Sequence, residues 1–428
     1  MTVTHTSKPT WSIRKSDLSF ENIVLFLLPL SMIFSINVMG QILMSDFLVI
    51  YTFFALTNRR KMSFKIPYLR AILALLALWF AAAILSDLMN GSSVKNLMRG
   101  WAKLVLFGFY ITVILNLVRG SRKRAALAMV GLGISLILKT DISADFGNES
   151  AFRTTWKFGM GLGVVIVLHT ALKHFGMKPR AISLLLLMLS PMHLFLGARS
   201  QFLILALSSG ISMFRIPVKS ANSRLYLSLI FFLFLGAGIG AGQTIYDSIV
   251  KSGVFGQEAL EKHLSQTANG ESVLFGARAE SLVSTIAIAD KPLLGHGSWA
   301  ENRDYVLLYL KLKEQNGNEV RWDSDFAQQS LIPSHSMLLG AAVEHGAAGA
   351  IFWLYILSIA LRALVAGALG RQSASTIEML AVLNLIWDIF FSPFGATRRC
   401  YEVIFLAISI ALIQANDPLK INQERGQE

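Results

Sequence analysis

The chain has 428 residues, of which 54% are hydrophobic and 15% charged, and its mean hydropathy is +0.55. Soluble domains carry roughly 45–50% apolar and about 25% charged residues, and the excess here is gathered in long unbroken blocks, which excludes a soluble enzyme. The 39 Lys and Arg outnumber the 26 Asp and Glu by a net +13, but the basic residues stand in short clusters between apolar blocks, as in cytoplasmic loops. Nucleic acid is therefore not an expected partner; the lipid bilayer is.

Residues 1–22 are polar, and no small-residue cleavage site follows the first apolar block, which reads as an uncleaved helix. A span needs roughly 17–25 apolar residues. In chain order the candidate spans are 23–38, 41–57, 68–86, 101–118, 125–139, 158–172, 181–197, 199–214, 225–242, 336–361, 376–392 and 401–415. The fifth and eighth are short, so their boundaries are the least defined. With the N-terminus in the cytoplasm, the inside loops become 58–67, 119–124, 173–180, 215–224 and 362–375, and every one is basic.

The expected fold class is therefore all-α: a polytopic integral membrane protein of about 12 transmembrane helices with one long periplasmic loop. Its parts are an N-terminal membrane region, 1–242, with nine spans; a loop or cap, 243–335; and a C-terminal region, 336–428, with three spans and a short cytoplasmic tail. The loop holds eight basic and twelve acidic residues, so it is acidic within a basic protein. Amphipathic stretches at 257–266 and 303–314, with Trp299, Tyr305, Tyr309 and Trp322, predict a small, mostly helical cap. The two halves of the chain show no internal repeat.

Two glycine runs, Gly159, Gly161 and Gly163 and then Gly236, Gly238, Gly240 and Gly242, lie inside apolar blocks. No soluble strand precedes them and no acidic residue follows at the ribose position, so they read as places where membrane helices approach closely, not as dinucleotide loops. Cys400 is the only cysteine, which excludes an intrachain disulfide or a cysteine metal cluster. His335 and His345 would lie about 280° apart around one helix and roughly 15 Å apart along it. Glu344 is likewise too far along to orient His335. No metal or other cofactor is expected.

Ionisable groups at a membrane boundary are costly and tend to be functional. Arg199 sits in the hinge GARS between two apolar blocks, where it either serves function or snorkels at a helix end. Arg278, in GARAESLVSTIAIADKPLLGHGSW, either pairs with Glu280 in solvent or binds a phosphate in a bidentate fork. His335, in PSHS, stands where Pro333 precedes the tenth span and Ser334 or Ser336 can cap it. A neutral imidazole there can accept a proton near pH 7, or it is simply an interfacial histidine.

The stretch GARAESLVSTIAIADKPLLGHGSW, followed by IPSHSMLLGAAVEHGAAGAIFW, together with a long loop before the third-last span, resembles the O-antigen ligase and Wzy-type polysaccharide polymerase superfamily. The resemblance covers about 80 residues directly. It implies a GT-C-type glycosyltransferase of the bacterial inner membrane. Such an enzyme moves a glycan from undecaprenyl diphosphate to a sugar hydroxyl at the periplasmic face, by metal-independent inversion. It further implies that Arg199 and Arg278 bind the lipid diphosphate and that His335 is the catalytic base. Where many relatives have a basic residue followed by Asn, this chain has Lys157–Phe158, and their His–Asn is His335–Ser336 here. Lys157, Arg153, Glu280, Arg398 and Arg399 are secondary contact candidates.

The partners so implied are the undecaprenyl-diphosphate-linked oligosaccharide donor, a saccharide acceptor and polysaccharide assembly proteins. Polymerisation of surface polysaccharide is the leading expectation and O-antigen ligation to lipid A core the alternative. A transporter or flippase competes because Asp46, Glu344 and Asp388 lie in or near apolar blocks. A non-catalytic assembly partner is a further competitor.

Overall fold

The computed structural model describes residues 19–38, 40–139, 151–214, 279–315 and 330–417, with isolated positions 227, 230, 248, 250–252, 320 and 328. Among these the chain is mostly helical. Every predicted block except 225–242, which lies largely outside the described residues, contains a helix. In chain order they are α1 (Phe20–Leu30), α2 (Met44–Asn58), α3 (Leu69–Asn90), α4 (Val94–Val118), α5 (Arg122–Leu138), α6 (Ala151–Thr155), α7 (Gly161–His174), α8 (Pro179–Leu189), α9 (Pro191–Phe195), α10 (Arg199–Met213), α11 (Ala279–Asp290), α12 (Arg303–Gln315), α13 (Met337–Leu369), α14 (Thr376–Phe391) and α15 (Arg398–Ala415). Four helices are long and apolar enough to cross a membrane: α3, α4, the run Ala151–His174 and α13. This is the architecture of a membrane protein.

Local chemistry sets the helix ends. Ser19, Ser93 and Ser121 accept hydrogen bonds from the amides of Asn22, Asn96 and Arg124, capping α1, α4 and α5. Ser375 and Glu378 form a capping box on α14. Gly91, at φ +62°, ends α3 in the left-handed conformation that glycine tolerates. The glycines of α5 and α7 do let helices approach: a Cβ at Gly163 would lie 2.5 Å from the Gly133 carbonyl oxygen, and one at Gly131 2.2 Å from that of Phe26.

Two blocks depart from expectation. The first does not run helical to residue 38; α1 closes through a 3-10 turn at Ser31–Ile33, and Ser35–Asn37 (β1) pairs antiparallel with Gln41–Leu43 (β2) in a small hairpin. Its apolarity suits either structure, and the β-branched Ile36 and Ile42, opposite one another, favour the strand. The seventh block breaks at Ser190–Pro191 into α8 and α9, because proline cannot donate to the preceding turn.

The last helices are central. α15 packs on α4, α5, α13 and α14, and α13 packs on α3 and α14. Trp79, Phe107, Phe352 and Trp353 form the aromatic heart of the core, all at 2% exposure or less. The two ends of the bundle differ. At one, basic loops converge: Lys61 pairs with Glu21, Arg119 donates to the Lys61 carbonyl at 2.6 Å, and Arg122 grips Glu378 and the Ser373 carbonyl. At the other end lie the hairpin, residues 87–100, 291–300, 331–336 and 393–399.

The described part of 243–335 holds two helices, α11 and α12, joined by the irregular segment 291–302. α11 packs on α12 and on α13, through a small core of Ala279, Val283, Ala287, Tyr305, Val306 and Tyr309. The stretch 257–266 lies outside the described residues.

Candidate functional site

The site forms where α13 begins. Pro333 leads into Ser336, whose side chain accepts from the Leu339 amide at 3.1 Å and donates to the Ile389 carbonyl at 2.9 Å. This one serine caps α13 and ties it to the end of α14. His335 precedes it with its side chain exposed.

α13 then breaks after two turns. His345 has φ −133° and Gly346 has φ +64°, ψ −147°, a conformation essentially reserved for glycine. A broken helix leaves carbonyls and amides without intrahelical partners, and the PLLGHG segment supplies them. The His296 amide donates to the Val343 carbonyl at 2.8 Å, the Gly297 amide to that of Glu344 at 2.9 Å, and the Ala347 amide to that of Leu293 at 3.3 Å. The glycines are needed because the segments touch: a Cβ on Gly295 would lie 2.6 Å from the Val343 oxygen.

Side chains lock the same junction. The Trp79 indole N–H, a donor only, bonds to His345 Nδ1 at 3.0 Å, which makes that nitrogen an acceptor and leaves the proton of the neutral ring on Nε2. Nε2 faces Ser298 Oγ at 3.0 Å, and Ser298 donates onward to Asp87 at 2.9 Å. Asp87 also accepts from the Ser298 amide and the Trp101 indole. The chain Trp79–His345–Ser298–Asp87 thus runs in one direction and pins the loop to α3, α4 and α13. Glu344, one residue before the break, turns to Lys103 of α4 at 2.7 Å and accepts from the Trp299 amide at 3.3 Å.

Between these elements lies a cavity of about 200 Å³. Trp79, Trp353 and Phe394 give it an aromatic wall, Lys103 and Glu344 a charged one, and Ser334 and Ser336, which flank His335 in the chain, line a further side, while His335 itself does not line it. Trp299 and the antiparallel contact of residues 300–302 with 330–332 (Ile332 amide to Ala300 carbonyl, 2.9 Å) complete it.

The residues expected to act are distributed as follows. Arg199 is the first residue of α10, two before Gln201, which donates to Asn384 of α14 at 3.1 Å. Gln201 reaches Asn384 and Ser336 reaches Ile389, so the start of α10 and the start of α13 are both tied to α14. Arg278 immediately precedes α11 and lies outside the described residues. Glu280 accepts from Tyr309 at 2.7 Å; burial and this carboxylate push the phenol up, and the pair stitches α11 to α12. Arg153 is exposed on α6, and Lys157 stands 5.1 Å from the Phe158 ring centre.

Arg398 and Arg399 face carboxylates inside the bundle. Arg399 pairs with Asp46 at 2.8 Å, and Asp46 also accepts from Tyr110 and the Leu43 amide. Arg398 pairs with Asp388 at 2.6 Å and Glu402 at 3.2 Å. The three acids set in apolar blocks, Asp46, Glu344 and Asp388, therefore each have a cation. Sequence reasoning missed Lys103, Trp79, Ser298 and Asp87. The one available signal was Lys103, a lysine within an apolar span.

No family model matches the chain, and neither does any curated protein or solved structure.

Proposed function

We propose that this protein is a membrane-embedded glycosyltransferase that moves a polyprenyl-diphosphate-linked glycan onto a saccharide hydroxyl, polymerising surface polysaccharide repeat units in the bacterial inner membrane. On this reading twelve spans cross the bilayer, both termini are cytoplasmic, and 243–335 is periplasmic. The separation of basic loops at one bundle end from the cavity at the other supports that orientation. The observation that carries the function is a walled cavity with both aromatic and charged lining, bordered by Ser334 and Ser336, the two residues that flank the exposed His335 in the chain.

In the reaction, Arg199 and Arg278 hold the diphosphate and offset the charge that develops as it leaves. His335 takes the proton of the attacking hydroxyl, whose oxygen bonds to the anomeric carbon from the opposite face. The bond to the diphosphate oxygen breaks, and the lipid diphosphate departs with the electron pair. Pairing of Asp46, Glu344 and Asp388 with the cations Arg399, Lys103 and Arg398 weighs against a transporter whose ion path runs through them.

The test is the size distribution of lipid-linked and exported glycan in cells carrying wild type, Arg199→Ala, Arg278→Ala or His335→Ala. Loss of a general base lowers turnover by about 10²–10⁴-fold, so single lipid-linked repeat units accumulate. Long lipid-linked chains that never reach their final acceptor would instead identify a ligase. Profiles matching wild type, with the variants present in the membrane, would refute the transferase reading.

A further inference from the structure

We infer that the cavity at the start of α13 is a subsite for one uncharged sugar ring, which, on the transferase reading, belongs to the acceptor. The Lys103–Glu344 pair would hold its hydroxyls, and Trp299 would form a platform at the mouth.

Three observations converge. The cavity, about 200 Å³, suits a single pyranose with its hydroxyls. Its walls are divided as a sugar is divided, with flat aromatic surface for the C–H face and charged or hydroxyl groups for the rim. Trp299 holds φ +50°, a left-handed conformation that a bulky residue rarely adopts and that tends to persist at ligand clamps. Its amide is tied to Glu344, Arg99 stands over its ring at 5.1 Å, and it remains 36% exposed.

Charge decides the ligand class. A phosphate needs an uncompensated cation, but Lys103 already has Glu344 at 2.7 Å, and that carboxylate repels an anion. An acyl chain would bury both charges with nothing to bond. A neutral ring can accept from the ammonium and donate to the carboxylate without breaking the pair. The same logic makes the pair a charge filter: with Glu344→Gln, Lys103 is left to receive a carboxylate, and the preference turns toward uronic acids.

The experiment is saturation-transfer NMR on the full chain in nanodiscs. The probes are methyl glycosides of glucose, galactose, mannose and rhamnose, and methyl β-glucuronide. At least one neutral glycoside is expected to receive saturation in wild type while the glucuronide does not. Trp299→Ala, at a partly exposed position, is expected to weaken that binding roughly tenfold, as loss of a central aromatic anchor does. Glu344→Gln is expected to reverse the neutral-to-uronide order. No transfer to any neutral glycoside, or binding unchanged in both variants, overturns the subsite. This failure is separable from that of the transferase. If glycosides bind while His335→Ala cells make normal glycan, the transferase reading fails and the subsite stands. If glycan growth requires His335 but no glycoside binds, only the subsite fails.

Discussion

Gly346→Ala should release the PLLGHG loop from α13. A Cβ at this position would lie 2.2 Å from the Leu293 oxygen, 2.3 Å from its carbonyl carbon and 2.6 Å from the Leu294 nitrogen. All three are backbone atoms, so no side chain can swing aside. Alanine also resists φ +64° with ψ −147°, a strain of about 1–3 kcal/mol. Relieving both means moving residues 293–297 away, which sacrifices the bonds from His296, Gly297 and Ala347, each worth about 1 kcal/mol net. The docked loop should therefore lose roughly 3–6 kcal/mol, while the membrane helices remain. Hydrogen exchange of the full chain in nanodiscs reads this directly: the His296, Gly297 and Ala347 amides should exchange roughly a hundredfold faster or more. Gly210→Ala is the control, since it has open space around its Cβ and an ordinary helical backbone. It should gain about 0.5–1 kcal/mol. Wild-type protection of those three amides in Gly346→Ala would refute the account of the break.

Two further predictions concern charge. Asp46→Ala strands Arg399 inside the bundle and should cost about 3–5 kcal/mol, whereas Asp46→Ala with Arg399→Met should cost less than the two single changes added together. Unfolding of the four proteins in detergent measures this, and strict additivity would show that the pair is not coupled. In the cap, burial and the bond to Asp290 push the Tyr305 phenol up to about 12. An unfolded phenol ionises near about 10, so the stability Tyr305 confers is intact below that pH and is lost as pH rises toward 12. The phenolate absorbance step that disappears in Tyr305→Phe should be centred near 12 and should move down in Asp290→Asn; a step near about 10 in wild type would contradict the packing.

The helices were legible because apolar blocks, serine caps and prolines act locally. The start of α13 at Ser336, the amphipathic helix over 303–315 and the position of His335 beside a helix start all follow from short-range chemistry. The run Gly159, Gly161 and Gly163 announced close helix contacts for the same reason, since a missing Cβ is a property of the residue alone; Gly236, Gly238, Gly240 and Gly242 lie outside the described residues.

Other features required the folded chain. The hairpin at 35–43 and the break at His345–Gly346 lie within apolar sequence whose hydropathy is the same for a strand, a kinked helix or a straight one. Glu344 could be seen in the sequence as a buried acid, and its distance from His335 could be reckoned, but not its pairing with Lys103, 241 positions away. Asp46 and Arg399 are separated by 353 positions. A charge in a membrane helix signals that it needs a partner; which partner it finds depends on the helices packed against it. The composition thus determined that the chain is a bundle of apolar helices, and the packing of α3, α4 and α13 decided where its polar residues converge.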